Sequence, residues 1–219
     1  MLHENFTRQH RILGRSASFA ISFLLIAYMI TLVLGFLSLK SPTDPIGDPY
    51  FSILELLIIV ISPLLVIVMI AVNAYASSET RMYSLTALVF MIIMATITCS
   101  VHFVILTVSR QIESAGFTWA PFFFSFKWPS VVYALDILAW DFFFALSMLF
   151  AAPVFKIGRL EKTIRTLMII SGVLSLAGLI GVLLANMNIR NIGILGYAGV
   201  SIAVFILLAI IFGRAKQIE

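Results

Sequence analysis

The chain has 219 residues, of which 62% are apolar and 11% are charged, with a formal net charge of +4. Its mean hydropathy of +1.12 excludes an ordinary soluble domain, in which about 25% of the residues are charged. The basic balance does not indicate a nucleic-acid partner, because the positive residues lie in connectors and termini, where membrane topology explains them. We predict a single integral membrane domain over residues 1–219, with the lipid bilayer as its partner.

Six apolar runs are each long enough to cross the hydrocarbon core of a bilayer, which takes roughly 20 residues. The predicted helices cover residues 17–39, 51–75, 83–108, 131–155, 166–186 and 192–212. The sequence therefore predicts an all-α, polytopic bundle of six transmembrane helices. Its loops are short, except for one longer loop rich in aromatic residues.

The first predicted helix follows a basic segment that contains Arg8, Arg11 and Arg15. The apolar run is longer than a signal-peptide core and lacks a small-x-small cleavage site, so we expect it to be retained with its basic end in the cytoplasm. The second helix carries Glu55 near its outer end. It also carries Pro63 at mid-depth, where a proline should kink the helix.

The third predicted helix ends in a polar patch that includes His102. The same helix contains Cys99, the only cysteine in the chain, which excludes an internal disulfide and is expected to be a packing thiol. The long loop at 111–130 follows, with Trp119 and Trp128 among its aromatic residues. Since such rings favour the headgroup boundary, we expect the loop either to anchor at the outer interface or to cover the mouth of the bundle as a lid.

The fourth predicted helix contains two carboxylates, Asp136 and Asp141, within an apolar run. Five residues turn an α-helix through about 140°, so the two side chains are predicted to face different directions. Tyr133 and Trp140 share the face of Asp136, at three residues before it and four after it. We expect these two aromatic residues to form the wall of a pocket.

The connector after the fourth helix, 156–165, is the densest basic segment and should be cytoplasmic. In the fifth helix Ala177, Gly181 and Ala185 recur at four-residue spacing. Small residues at this spacing allow helix backbones to approach closely in lipid. We therefore predict that the fifth helix packs against the sixth.

The distribution of basic residues supports six spans with both termini in the cytoplasm of a plasma (inner) membrane. Ten basic residues fall on the cytoplasmic side: Arg8, Arg11, Arg15, Arg81, Lys156, Arg159, Lys162, Arg165, Arg214 and Lys216. Four fall on the outer side: Lys40, Arg110, Lys127 and Arg190. An odd number of helices would remove this bias.

Ionisable residues of three predicted helices share one depth. At about 1.5 Å per residue, Glu55, His102 and Asp136 lie roughly 6 to 9 Å below the outer boundary, and Asp141 lies at about 15 Å. An unpaired charge at the bilayer centre costs about 2.5 to 3.5 kcal/mol on insertion scales, so such groups are paired, protonated or in a wet cavity. We predict that these four residues form a binding site for a ligand or an ion in the outer leaflet, between the second, third and fourth helices. Tyr133 and Trp140 would form its wall, and Trp119 and Trp128 its lid.

Three functions are compatible with this pattern. The first is a small carrier or binding protein for a cation, a proton-coupled solute or a lipid. The second is a structural or accessory subunit of a membrane complex, or a homo-oligomer, in which the charges clamp helices. The third is an intramembrane enzyme that uses histidine and carboxylates with or without a metal. No HExxH or ExxH spacing supports a metal, so an enzyme is disfavoured, and the cofactor and the metal remain open.

Overall fold

The computed structural model describes residues 6–41 and 44–215, which form helices and no strand. Six helices in this part of the chain are long and apolar enough to cross a membrane. They are α1 (Arg8–Leu37), α2 (Tyr50–Tyr75), α3 (Ser78–Ile112), α4 (Val131–Val154), α5 (Gly158–Leu183) and α6 (Met187–Arg214). The predicted all-α bundle of six spanning helices is thereby confirmed.

Each helix packs against the helices that precede and follow it in the chain, and α6 also packs against α1. The six helices thus form a closed ring. We call the end that holds residues 111–130 the loop end, and the opposite end the terminal end. At the terminal end Phe6 stacks on Phe212 with their ring centroids 5.6 Å apart, which brings the described N- and C-terminal residues together.

Most of the helices begin earlier than their apolar runs predict, and the difference is largest for α1 and α5. The side chain of Thr7 accepts a hydrogen bond from the backbone N–H of His10, whose ring in turn accepts one from the N–H of Thr7. This reciprocal cap starts α1 at Arg8, well before the predicted residue 17. The apolar pattern marks the thickness of the bilayer, and a capped helix can continue beyond it.

The helix α5 begins at Gly158, inside the segment predicted as a connector. The carboxylate of Glu161, in the first turn, accepts hydrogen bonds from the backbone N–H groups of Lys156 and Ile157, at 2.8 and 2.7 Å. It also accepts one from the hydroxyl of Tyr75, at 2.8 Å. An acidic group that accepts free N–H groups at a helix N-terminus favours helix there. The basic segment is consequently the first part of a spanning helix.

Pro63 lies within α2, which continues through it as an α-helix. A proline cannot donate a hydrogen bond to the carbonyl four residues earlier, which here belongs to Ile59. The thiol of Cys99, on α3, lies 3.9 Å from that carbonyl oxygen. The only cysteine of the chain thus provides a weak donor to an acceptor that the proline leaves free.

Three spanning helices contain π-helical segments, at Ile105–Ser109 in α3, Leu138–Phe144 in α4 and Leu195–Val200 in α6. Such segments are rare and are frequently found at functional sites. The hydroxyl of Ser171, on α5, donates to the carbonyl oxygen of Gly196 at 2.9 Å. This bond satisfies a backbone acceptor in the α6 segment and holds α5 against α6, which pack together as predicted.

The half of the bundle nearest the terminal end is filled with large apolar side chains. Fully buried residues in this half are Met69, Met91, Met148, Phe155, Leu208 and Phe212. Dense packing of this kind leaves few voids as large as a water molecule. The buried acidic and basic residues lie on the other side of this packed layer, towards the loop end.

Candidate functional site

His102 lies between two carboxylates that come from different helices. Its Nδ1 atom is 2.7 Å from Oε2 of Glu55, on α2, and its Nε2 atom is 3.2 Å from Oδ1 of Asp136, on α4. All three residues are at least 94% buried. The structure therefore brings together the three ionisable groups that the sequence places at a common depth, although their role in binding stays a prediction.

The hydrogen bonds of His102 set the smallest number of protons that Glu55, His102 and Asp136, the triad, must hold. A carboxylate can only accept a hydrogen bond, so each of the two bonds requires one hydrogen between the ring nitrogen and the carboxyl oxygen. An imidazolium with two carboxylates satisfies both bonds, and so does a neutral imidazole with one carboxylic acid. Glu55, His102 and Asp136 consequently share two hydrogens that can move between partners without breaking the triad.

Arg190 extends the triad to Asp141. Its Nη2 atom lies 3.1 Å from Oδ2 of Asp141 and 3.9 Å from Oδ2 of Asp136. Arg190 is 3% exposed and Asp141 is fully buried. Five ionisable side chains from α2, α3, α4 and α6 thus form one connected cluster, which we call the charged cluster: Glu55, His102, Asp136, Asp141 and Arg190.

The burial of Arg190 corrects the topology count, in which it is an outer connector residue. The side chain of Asn186 accepts hydrogen bonds from the N–H groups of Asn188 and Ile189, so α6 begins immediately after the turn from α5. The backbone of Arg190 then packs on Gly181, where a Cβ atom would overlap it. Gly181 is one of the small residues that predict close packing of α5 and α6, and it also makes room for an arginine.

Glycines also surround the Asp141 carboxylate. A Cβ atom on Gly178 or on Gly193 would overlap Oδ1 of Asp141. Within the described residues Oδ1 of Asp141 and Nε of Arg190 are buried without a hydrogen-bond partner. The two glycines, from α5 and α6, thus enclose a carboxylate that is paired through only one of its oxygens.

The predicted divergence of Asp136 and Asp141 is wrong, because both carboxylates point to the same guanidinium. The prediction assumed α-helical geometry throughout the fourth helix. Residues Leu138–Phe144 are instead π-helical, with hydrogen bonds between residues five apart rather than four. A side chain five positions further along the chain therefore returns close to the same face.

Aromatic residues cover the Arg190 guanidinium. Its Cζ atom lies 5.4 Å from the ring centroid of Tyr133 and 5.8 Å from that of Tyr197, within cation–π range. Trp140 packs on Tyr197, with ring centroids 5.2 Å apart. Of the two predicted wall residues, Tyr133 touches the charged cluster directly and Trp140 supports it through Tyr197.

A cavity of about 340 Å³ lies at the loop end, next to the charged cluster. Its lining residues are Asp48, Phe51, Ile105, Ser109, Arg110, Phe124, Ser125 and Phe126. The ring of Phe126 packs on His102 with 5.5 Å between ring centroids, and on Tyr133 with 5.0 Å. One phenyl ring thus stands between the cavity and the triad.

The aromatic loop contributes phenylalanines to the cavity lining, and the role of its tryptophans Trp119 and Trp128 as a lid stays a prediction. Trp119 is exposed and stacks on Phe117, and Trp128 contacts Tyr133 edge-on. Neither tryptophan lines the cavity, whereas Phe124 and Phe126 do. The exposed aromatic residues of the loop have the position expected of an interfacial anchor. Phe124 and Phe126 have the position expected of a lid.

An ion pair stands at the edge of the cavity. Nη2 of Arg110 lies 3.2 Å from Oδ2 of Asp48 and donates to the hydroxyl of Ser52 at 2.5 Å. The side chain and the backbone N–H of Ser52 also donate to Asp48. The hydrogen bond from the Ser52 hydroxyl, together with Arg110, holds the pKa of Asp48 below its usual range.

In the described parts of the chain no group of three or more His, Cys, Asp or Glu residues has the geometry of a metal site. Comparisons of this chain with protein-family models, curated proteins and solved structures give no match. A function can therefore be argued only from the charged cluster, the cavity and their surroundings.

Proposed function

We propose that the protein is a proton-coupled carrier of small cations in a plasma (inner) membrane, with both termini in the cytoplasm. The observation that carries the proposal is the position of His102 between Glu55 and Asp136. Intramembrane carboxylates and histidines are typical of proton relays and ion pathways. A histidine that joins two carboxylates can accept or release a proton with a small rearrangement of hydrogens.

The charge of the cluster supports cations as the second substrate. Three carboxylates face one guanidinium and, when the triad holds its two hydrogens, the equivalent of one imidazolium, which leaves a net charge of −1. One additional proton or one monovalent cation neutralises this charge. In a low-dielectric interior a site that accepts either one disfavours both together. Competition of this kind couples the entry of a cation to the release of a proton.

The fold supports access from the loop end in the present conformation. The cavity adjoins the charged cluster on that side, and the packed apolar layer closes the terminal end. A carrier requires a second conformation in which this layer opens. The π-helical segments of α3, α4 and α6 lie near the charged cluster, where a shift between π- and α-helical bonding would displace these helices with little loss of hydrogen bonds.

The proposed orientation follows from the basic residues. With Arg190 buried, the basic residues at the loop end are Lys40, Arg110 and Lys127. Nine of the ten basic residues that the sequence assigns to the cytoplasmic side lie in the described part of the chain, at the terminal end. The tenth, Lys216, lies outside the described residues. The excess of basic residues at the terminal end supports an orientation with that end in the cytoplasm.

Proton flux in proteoliposomes tests the proposal. Vesicles that hold the purified protein and an internal pH indicator are exposed to external Na⁺, K⁺ or tetramethylammonium chloride. At least one cation should change the internal pH, and Glu55→Gln and Asp136→Asn should abolish the change. Asp44→Asn, a carboxylate in the connector before α2, is the matched control and should leave the flux intact. The absence of cation-dependent flux for all three salts in the unaltered protein would refute the carrier.

A second candidate, a structural or accessory subunit, is favoured by one observation. The Arg190–Asp141 pair is completely buried, and glycines of α5 and α6 close around it, as expected for a clamp between helices. Asp141→Asn separates the two functions. A loss of stability with no loss of flux per folded molecule indicates a clamp only, whereas a loss of flux at retained stability indicates a part in the carrier.

A further inference from the structure

The cavity at the loop end combines aromatic walls with oxygen acceptors. Three phenylalanine rings line it, from Phe51 on α2 and from Phe124 and Phe126 in the loop. The hydroxyl of Ser109 donates to the carbonyl oxygen of Phe124 at 2.5 Å, and that of Ser125 to the carbonyl oxygen of Pro121 at 2.7 Å. The hydrogens of both hydroxyls are thus engaged within the protein, and their lone pairs remain as acceptors.

The electrostatics of the cavity favour a positive ligand. At its edge Asp48 and Arg110 form an ion pair and largely cancel one another. Behind the ring of Phe126 lies the charged cluster, in which three carboxylates outnumber the guanidinium and the imidazolium. The faces of aromatic rings carry partial negative charge and attract cations. Aromatic rings, acceptor oxygens and a negative cluster therefore act in the same direction.

From this arrangement we infer that the cavity is a binding site for a small organic ammonium ion with apolar substituents, of about the size of choline. The inference deepens the proposed carrier function, on which it rests for the coupling to protons. Quaternary ammonium groups are bound in aromatic cages by cation–π attraction and contact with apolar surface. A volume of about 340 Å³ lies within the range of small-molecule sites.

Phe126 has a second role at this binding site. Its ring contacts the bound cation on one side and His102 on the other, where the ring centroids are 5.5 Å apart. A cation that moves from the cavity to the charged cluster must displace this ring. Phe126 is thus both a wall of the binding site and the partition between that site and the triad.

Choline and its neutral isostere 3,3-dimethylbutan-1-ol test the chemistry, since they share a shape and differ in charge. Binding of each to the full-length protein in nanodiscs is measured by calorimetry at low ionic strength, without a pH gradient. Choline should bind at least tenfold more tightly than the isostere. Phe126→Leu and Phe51→Leu should each weaken choline binding by about 5- to 30-fold, and the exposed Phe122→Leu should not change it.

The charged residues of the cavity give an independent test. Asp48→Asn should weaken choline binding, whereas Arg110→Gln should not, because it removes a positive charge. Equal binding of choline and the isostere, or unchanged choline binding in both Phe126→Leu and Phe51→Leu, would overturn the inference. So would a preference for acetate over choline.

The outcomes for the cavity and for the carrier are distinguishable. Selective choline binding without cation-dependent proton flux would sustain the cavity site and refute the carrier. Cation-dependent flux without preference for choline over its isostere would sustain the carrier and refute the ammonium site. Glu55→Gln, which should abolish flux, should weaken choline binding less than Phe126→Leu does, because Glu55 contributes negative charge behind the cavity but does not line it.

Discussion

Removal of the Arg190 side-chain charge should destabilise the bundle strongly. In Arg190→Met an unbranched apolar side chain replaces the aliphatic part of the arginine. Asp141, fully buried, then loses its partner at 3.1 Å, and Asp136 loses the contact at 3.9 Å. Breaking one side of a buried ion pair costs about 3 to 5 kcal/mol, because it leaves an uncompensated charge. We expect a loss of unfolding free energy in this range.

A double-mutant cycle shows whether this loss comes from the unpaired carboxylate. Asp141→Leu alone should also destabilise, since it leaves Arg190 with one distant carboxylate. Together with Arg190→Met, however, it replaces a buried pair with apolar groups, a change that is often neutral or stabilising. The double variant should therefore be more stable than the sum of the single effects predicts, by at least about 2 kcal/mol.

Reversible unfolding in mixed micelles, followed by circular dichroism, measures these free energies. Arg214→Met is the control, since Arg214 lies exposed at the terminal end of α6. It should change the unfolding free energy by less than about 0.5 kcal/mol. Single variants that each cost under about 1 kcal/mol, with additive effects in the double variant, would refute the paired cluster as an element of stability.

Three further changes should have local effects. Gly193→Ala should destabilise the protein by about 1 to 3 kcal/mol, because the added Cβ atom would overlap the buried carboxylate of Asp141. Gly199→Ala is its control and should be near neutral in the same unfolding experiment, because open space surrounds Gly199. Ser171→Ala should cost about 1 to 3 kcal/mol, because a buried carbonyl of the α6 π-helical segment loses its donor; full retention of stability would contradict this. Ser52→Ala removes the hydroxyl that stabilises ionised Asp48, so the pKa of Asp48 should rise towards its ordinary value in an NMR titration of labelled aspartate side chains. An unchanged titration would assign the lowered pKa of Asp48 to the backbone N–H of Ser52 and to Arg110 instead of the hydroxyl.

Hydropathy and helix geometry predict much of this fold. Six apolar runs near the thickness of a bilayer predict six helices, since backbone groups in lipid must be satisfied within each segment. The common depth of Glu55, His102 and Asp136 follows from counting residues along three helices that start at known boundaries. The structure brings these residues into contact, because neighbouring helices that cross the same membrane place residues of equal depth next to each other.

Arg190 is the member of the charged cluster that the sequence did not predict, and the reason is the shape of one turn. Between α5 and α6 the chain reverses through Ala185, whose φ of 51° lies in the left-handed region. Because alanine seldom adopts this conformation, nothing in the pattern predicts so short a reversal. An arginine near an apolar run is ordinarily a connector residue. The signal that the sequence does contain is the pair of glycines at 178 and 181. A Cβ atom on either would overlap the backbone of Arg190, and one on Gly178 would also overlap the Asp141 carboxylate.

The prediction that Asp136 and Asp141 face different directions is wrong for a different reason. Helical periodicity applies only while the hydrogen-bond pattern is constant, and the π-helical segment from Leu138 to Phe144 changes it. Nothing in the residue types of that segment distinguishes it from an α-helix. Sequence reasoning thus locates ionisable residues along a membrane helix more securely than around it.

The central claim is that His102 exchanges protons with the two carboxylates beside it, and nitrogen NMR of its ring tests this most directly. The protein is labelled at histidine in nanodiscs, in a variant whose other two histidines are replaced by glutamine. The two ring nitrogens of His102 should show hydrogen-bonded signals that change with pH over the interval in which cation-driven proton flux changes, and Glu55→Gln should alter the Nδ1 signal. Ring signals that stay constant across that interval while the flux persists would contradict the account.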